Sequence, residues 1–267
     1  MWKKMIWGGL LAMLSVSVQA APLSFKTKEI KVKSSCFVDK YKEKRCHQSE
    51  VAYPITGDKH FDAWVKDTWK GQLPTKKSVK AELVNDEWVK EINESNKNED
   101  KEFPCAVSYE HTLKLEGFSP NYAVFGKERW SYTCGVHGNG VHSFIVMPRN
   151  TPNPKKVKLE DIVLPNQMDK LIELQKEAVI QYLQDPHFEM NEKEAREYFH
   201  QYNEHFYGTN EWRIGENSIV FLFQTYEVAA YSYGRPEIAI PVKDLQGIIK
   251  PEILRETEQY TPRPEKP

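Results

Sequence analysis

The chain has 267 residues, with 37 Lys and Arg against 38 Asp and Glu and a formal net charge of -1. Both signs are mixed along it, which argues against nucleic acid as a partner and gives no membrane-surface signature. Four cysteines and an aromatic content of 12% fit a sizeable core stapled by disulfides in an oxidising compartment.

Lys3 and Lys4 precede an apolar run over residues 5–18, and Val18-Gln19-Ala20 puts small residues where a signal peptidase must admit them. The run is short for a bilayer span. Residues 1–20 therefore read as a cleaved signal peptide, whose removal leaves 35 basic against 38 acidic side chains and a charge of -3. No later segment is apolar for long enough to cross a membrane. The expectation is a periplasmic or secreted protein with no transmembrane anchor after cleavage.

Residues 25–33 alternate weakly and read as a first strand. Residues 36–46 read as an exposed loop stapled by its two cysteines, and residues 50–55 as a short strand. Asp58 can cap a helix whose apolar face is Phe61, Trp64, Val65 and Trp69. Beyond Gly71 and Pro74, a second helical pattern places Val79, Leu83, Val84, Trp88 and Ile92 on one side. The polar run over residues 93–101 reads as a mobile loop.

Residues 105–115 and 122–134 both alternate, and Gly117, Ser119, Pro120 and Asn121 between them are turn formers. An antiparallel hairpin whose opposed residue numbers sum to 239 sets Val107 against Tyr132, Tyr109 against Trp130, His111 against Glu128, and Cys105 against Cys134. Opposed Cα atoms lie roughly 4.5–5.5 Å apart, within disulfide range. The spacing predicts Cys105–Cys134, which leaves Cys36–Cys46, each stabilising by on the order of 3 kcal/mol. A metal site built from all four cysteines is the competing arrangement, and the lack of a CxxC pair argues against it.

A strand over residues 141–147 is followed by a Pro-rich turn and a short helix over 159–163. Pro165 suits the first turn of a helix running to about residue 184, with Met168, Leu171, Ile172, Val179, Tyr182 and Leu183 as its buried stripe. Asn191 and Glu194 form a capping-box pattern before a helix bearing Ala195, Phe199, Tyr202 and Phe206. Strands follow over residues 212–214, 218–223 and 237–242, the last at a sheet edge because of Pro241. Residues 243–249 close the fold as a short helix. The expected fold class is α+β, with antiparallel sheets packed against several helices and two disulfides. Its expected organisation is a signal peptide (1–20), N-terminal strands with a stapled loop (21–57), an α+β domain (58–250) and a Pro- and charge-rich disordered tail (251–267).

Three features in order carry a family resemblance. Gly135-Val136-His137 lies between strands, a Leu-Glu-Asp-Ile element precedes two helices, and an apolar strand leads through YEVAAYSYG to the strand EIAIPV. This order resembles the RsiV/PdaC-type extracytoplasmic domain of unknown function, over roughly residues 50–250. In that family the ectodomain of the anti-sigma factor RsiV binds lysozyme, and in PdaC-type enzymes the domain accompanies a separate peptidoglycan deacetylase. This chain shows no sigma-binding segment, no retained membrane helix and no room for a deacetylase domain. The resemblance implies the module alone, with lysozyme, another envelope protein or peptidoglycan as its partner.

No HExxH, GxSxG, Walker-type or GxGxxG motif is present, and neither a cofactor nor a metal is expected. His137 and His142 lie five residues apart in a Gly-rich segment and read first as turn histidines, with a ligand or base role as the alternative. His200 and His205 miss the i,i+4 spacing of a helical metal pair. The turn is the stronger candidate, because Tyr226, Tyr231 and Tyr233 offer large amphipathic area at low entropic cost. Glu227 and Arg235 add charge, and Gly234 supplies a backbone angle other residues resist. The candidate binding set is thus Tyr226, Glu227, Tyr231, Tyr233, Arg235 and His137, with no catalytic residue assigned. The primary reading is a non-catalytic binding module; the alternative is a cell-envelope hydrolase or deacetylase acting on peptidoglycan or polysaccharide.

Overall fold

A computed structural model describes residues 21–38, 41–97, 104–149 and 151–264. The expected signal peptide, and residues 98–101 of the expected polar loop, lie outside the described residues. Among the described residues there are nine strands and eight α-helices, so the α+β reading holds. None of these helices is long and apolar enough to cross a membrane.

Strand β1 (Lys26–Val38) pairs antiparallel with β2 (Lys44–Ile55). The residues expected to be a loop between Cys36 and Cys46 are instead largely the end of this hairpin, with the two cysteines directly opposed and 4.0 Å apart at Cα. Three helices then lead to β3 (Ser108–Phe118), which runs parallel to β2. A parallel pair needs a long crossover, and α1 (Lys59–Thr68), α2 (Lys76–Asn85) and α3 (Glu87–Asn96) supply it. The single helix expected over Val79 to Ile92 is broken at Asp86. That residue sits in extended backbone and its carboxylate accepts from Val89 N, so it starts α3 rather than continuing α2. Val84 and Trp88 consequently face solvent.

Strand β3 pairs with β4 (Tyr122–Tyr132), and β4 with β5 (Asn139–Pro148), both antiparallel. The Cys105–Cys134 bridge forms, with its Cα atoms 5.7 Å apart. The register that suggested it is one residue off. Glu110 faces Trp130 and His111 faces Arg129, and the register shifts again between Leu115 and Gly117. Both cysteines lie outside the paired ladder, so the bridge does not depend on its register. A one-residue slip exchanges faces: Leu113 and Leu115 share their side with Phe125, while Glu128 and Trp130 point the other way.

The two faces of this sheet serve two cores. Val51, Leu113, Leu115, Phe125 and Met147 pack under Phe61 and Val65 of α1, Val79 and Leu83 of α2, and Val89 of α3. Val124 and Val146 look the other way, into a core built by the C-terminal half. That half contains α4 (Leu159–Ile162), α5 (Met168–Tyr182), α6 (Glu192–Tyr202) and a second antiparallel sheet of β6 (Trp212–Gly215), β7 (Ser218–Leu222) and β8 (Glu237–Pro241). Pro241 does sit on an edge strand. The Asn191–Glu194 capping box forms at α6. In α5, the buried set is Leu171, Gln175, Val179 and Ile180. Gln175 tolerates burial because it accepts from Thr209 N at 2.7 Å and donates to the Thr209 carbonyl at 3.3 Å.

Over residues 251–264 the expected disordered tail is overturned. After α7 (Val242–Leu245), α8 (Pro251–Glu258) buries Ile253, Leu254 and Thr257, and β9 (Thr261–Pro262) pairs with Gly117 and Phe118 of β3. Proline and charge dominate the composition, but Pro251 is at the first turn of α8, where proline is suited. The apolar residues fall on one side of a single short helix and anchor it.

Candidate functional site

The candidate site is built around the outer edge of β5 and the tyrosine-rich turn that follows β7. An edge strand exposes unpaired N–H and C=O groups, and here side chains from the C-terminal half occupy them. Gln224 acts as a strand surrogate: it accepts from His142 N at 3.2 Å and donates to the His142 carbonyl at 2.6 Å. Glu211 accepts from Phe144 N at 3.0 Å. These bonds fix the start of the turn against the first sheet. At the other end, Arg235 ion-pairs with Glu128, which stands directly across β4–β5 from His142.

Between these two anchors the turn meets the loop after Cys134. The His137 ring stacks on Tyr231, with centroids 4.0 Å apart, and lies 6.2 Å from Tyr226. Its Nδ1–H donates to the Gly138 carbonyl at 2.9 Å, which also accepts from the Tyr231 hydroxyl at 3.1 Å. With Nδ1–H so placed, Nε2 is the ring atom left to accept from the Tyr226 hydroxyl, 3.1 Å away. Both tyrosines remain open to solvent, Tyr226 at 60% and Tyr231 at 37% exposure. Tyr226 has φ +69°, a left-handed conformation that costs a bulky residue on the order of 1–3 kcal/mol. Gly234 closes the turn at φ +72°, ψ -143°, a region essentially limited to glycine. Trp130 covers the loop from the sheet side; a Cβ on Gly138 would come within 2.2 Å of its ring.

The structure thus brings together three of the six expected residues, His137, Tyr226 and Tyr231, with Arg235 beside them. Tyr233 turns inward onto Phe188 and Tyr198 and its carbonyl accepts from the Tyr182 hydroxyl, so its place is in the packing. Glu227 accepts from Gln224 N at 2.6 Å, holding the turn closed, and faces a different surface with Tyr198 and Tyr202. Tyr226, Tyr231, Trp130, Gly140, Arg129 and Arg235 line an open cleft of about 660 Å³.

Sequence reasoning missed a second group. Lys127 and Arg129 alternate onto one face of β4, where His111 of β3 is directly opposite Arg129. Alternation along residues 127–129 was the signal that could have found them. Among the described residues neither cation has an ion-pair partner. Burial, followed by repulsion from Arg129, holds the Lys127 amine below its usual range. Burial and then the charges of Arg129 and Lys127 press the His111 imidazole down to about 4. His111 packs against Trp69 at 5.2 Å. A second cleft, of about 640 Å³, opens here between α1–α2 and the sheet, lined by Trp69, Leu73, Glu82, Tyr109, His111 and Arg129.

The depressed His111 value has a sign that can be tested. The folded state holds the ring neutral, so the unfolded chain binds the proton first, near pH 6.5. Stability contributed above pH 6.5 is lost as pH falls toward 4. Solvent screening at this half-buried position limits the loss to about 1–2 kcal/mol. Urea unfolding of the wild type and His111→Gln at pH 7.5 and pH 4.5 should show the wild type losing that much more than the variant. Equal losses would remove His111 as the source.

Residues 160–243 match the model of a family described as a protein of unknown function, DUF3298. No curated protein matches the chain. A DUF3298 family protein from Bacteroides fragilis NCTC 9343 is similar at TM-score 0.63 and 18% identity, over 88% of this chain and 97% of its own. Another, from Pseudomonas aeruginosa PAO1, is similar at TM-score 0.56 and 17% identity, over 86% of this chain and 96% of its own. At these identities the likeness is one of fold.

Proposed function

We propose that this chain is a non-catalytic binding module acting outside the cytoplasm, in the periplasm or after secretion, with the His137–Tyr226–Tyr231 cluster as its recognition surface. One observation carries this reading: two exposed tyrosines contact a histidine from a distant loop, one by ring stacking and one by a hydrogen bond, at the rim of an open cleft, and one of them is in a strained backbone conformation. Rigid aromatic side chains offer contact area at little entropic cost, and strain is commonly stored where it serves function. Two disulfides support an oxidising compartment. The resemblance to lysozyme-binding ectodomains makes lysozyme the first partner to test, ahead of other envelope proteins and peptidoglycan.

Calorimetric titration of the mature chain with lysozyme should show saturable binding. The Tyr226→Ala/Tyr231→Ala double variant should bind about 10- to 100-fold more weakly, a cost of roughly 1.4–2.8 kcal/mol, with an unchanged circular dichroism spectrum. No binding by the wild type would exclude lysozyme as the partner. Binding that the double variant retains in full would exclude the ring cluster as the surface.

A further inference from the structure

The second cleft points to a ligand of its own. It meets the first at Tyr109, His111 and Arg129, which line both. At this junction the sheet presents Arg129, with Lys127 two residues along the same face of β4 and a histidine kept neutral beside them, and among the described residues neither cation has an ion-pair partner. Like charges held together without a carboxylate are unfavourable unless something anionic joins them. Of the acids that line the second cleft, neither forms an ion pair with Arg129 or Lys127 among the described residues. Asp86 caps α3 and accepts from the Tyr109 hydroxyl at 2.9 Å; Glu82 stands on the α2 wall of the cleft. Glu110 and Glu128 point to the opposite face of the sheet, Glu128 already paired with Arg235.

The floor of the junction narrows the ligand class. β3 and β4 are interior strands, paired on both sides through Tyr109, His111 and Arg129. Their N–H and C=O groups are used within the sheet, so an extended peptide finds no free edge on which to add as a strand. What the second cleft offers is side chains: the rings of Trp69 and Tyr109 and the guanidinium of Arg129. Rings pack against the C–H faces of pyranoses, and a guanidinium holds a carboxylate through two parallel N–H bonds. We propose that this cleft binds an acidic oligosaccharide, a chain of carboxylate-bearing sugars whose carboxylate sits on Arg129, with a sugar ring against Trp69.

The inference differs from the tyrosine-cluster reading in resting on the α1–α2 side of the sheet, although Arg129 lines both clefts. Its test is tryptophan fluorescence and calorimetric titration of the mature chain with tetragalacturonate. Cellotetraose serves as the neutral chain of equal length and tetraglutamate as the acidic peptide. Tetragalacturonate should bind at least tenfold more tightly than either. Arg129→Ala, an exposed position, should lose at least tenfold in affinity, and Arg129→Lys less, because the point charge remains while the fork is lost. Three results would each overturn the proposal: no tetragalacturonate binding at millimolar concentration, equal binding of tetraglutamate or cellotetraose, or undiminished affinity in Arg129→Ala. Lysozyme titrations of Arg129→Ala, and tetragalacturonate titrations of the double tyrosine variant, keep the failure of one reading distinct from failure of the other.

Discussion

A chain ended at Lys250 should fail to fold cooperatively. Its composition suggests a dispensable tail, yet the segment from Pro251 to Arg263 closes both halves of the molecule. Ile253, Leu254 and Tyr260 enter the C-terminal core alongside Val124 and Val146 of the first sheet. Removing their side chains exposes the facing core, and each such loss typically costs about 2–5 kcal/mol. Glu256 accepts from both the backbone N–H and the side-chain amide of Asn121, at 3.0 and 2.6 Å, so its loss leaves the β3–β4 turn without that partner. Arg263 N donates to the Glu116 carbonyl at 2.7 Å, and its guanidinium donates to Thr27 at 3.1 Å on β1. The conformational entropy released by deleting the segment offsets part of this. The remainder, about 5 kcal/mol or more, is comparable with the whole stability of an ordinary domain. Denaturant unfolding followed by tryptophan fluorescence should show a broad, early transition. A sharp transition at the full-length midpoint would show that the segment is decorative.

The misreading of that segment shows where local sequence runs out. Strands β3, β4, β5, β7 and β8, helix α5 and the α6 capping box were legible, because each rests on alternation, helical period or a cap within a few residues. The Cys105–Cys134 pairing was legible for a related reason: two alternating runs with a turn between them bring their ends together under either neighbouring register. The register itself was not. The bulge between Leu115 and Gly117 lies where β9 pairs with Gly117 and Phe118, a contact distant in sequence that local alternation does not carry. The break at Asp86 was present in the sequence as Asn85-Asp86 but was outweighed by an uninterrupted apolar spacing. At the candidate site, the turn could be singled out by its tyrosines. Its division into exposed Tyr226 and Tyr231 and inward Tyr233 depends on Phe188 and Tyr198, which are distant in sequence. Arg129 and Lys127 stand out only in the fold, where neither has an ion-pair partner among the described residues.

Gly117→Ala should cost about 3 kcal/mol, the upper end of what overpacking by one methyl usually does. A Cβ at this position would stand 2.1 Å from the Tyr260 hydroxyl oxygen and 2.2 Å from the ring carbon bearing it. Nothing at that distance can remain in place. Tyr260 is buried and Gly117 pairs with Pro262 of β9 immediately beyond it. The ring therefore cannot swing aside without lifting the strap. Burial has already pushed the Tyr260 phenol up to about 12, so the group stays neutral and its packing, not a charge, is at stake. The coupling supplies the decisive measurement. Tyr260→Ala alone removes a buried ring and is itself destabilising, but it also removes the obstacle to the new methyl. In the Gly117→Ala/Tyr260→Ala double variant, the alanine at 117 should cost well under 1 kcal/mol beyond Tyr260→Ala alone, so the two effects fall short of additivity by about 2 kcal/mol. If they add, the cost of Gly117→Ala comes from the backbone at the bulge, and the strap does not close on Gly117 in the way the geometry requires.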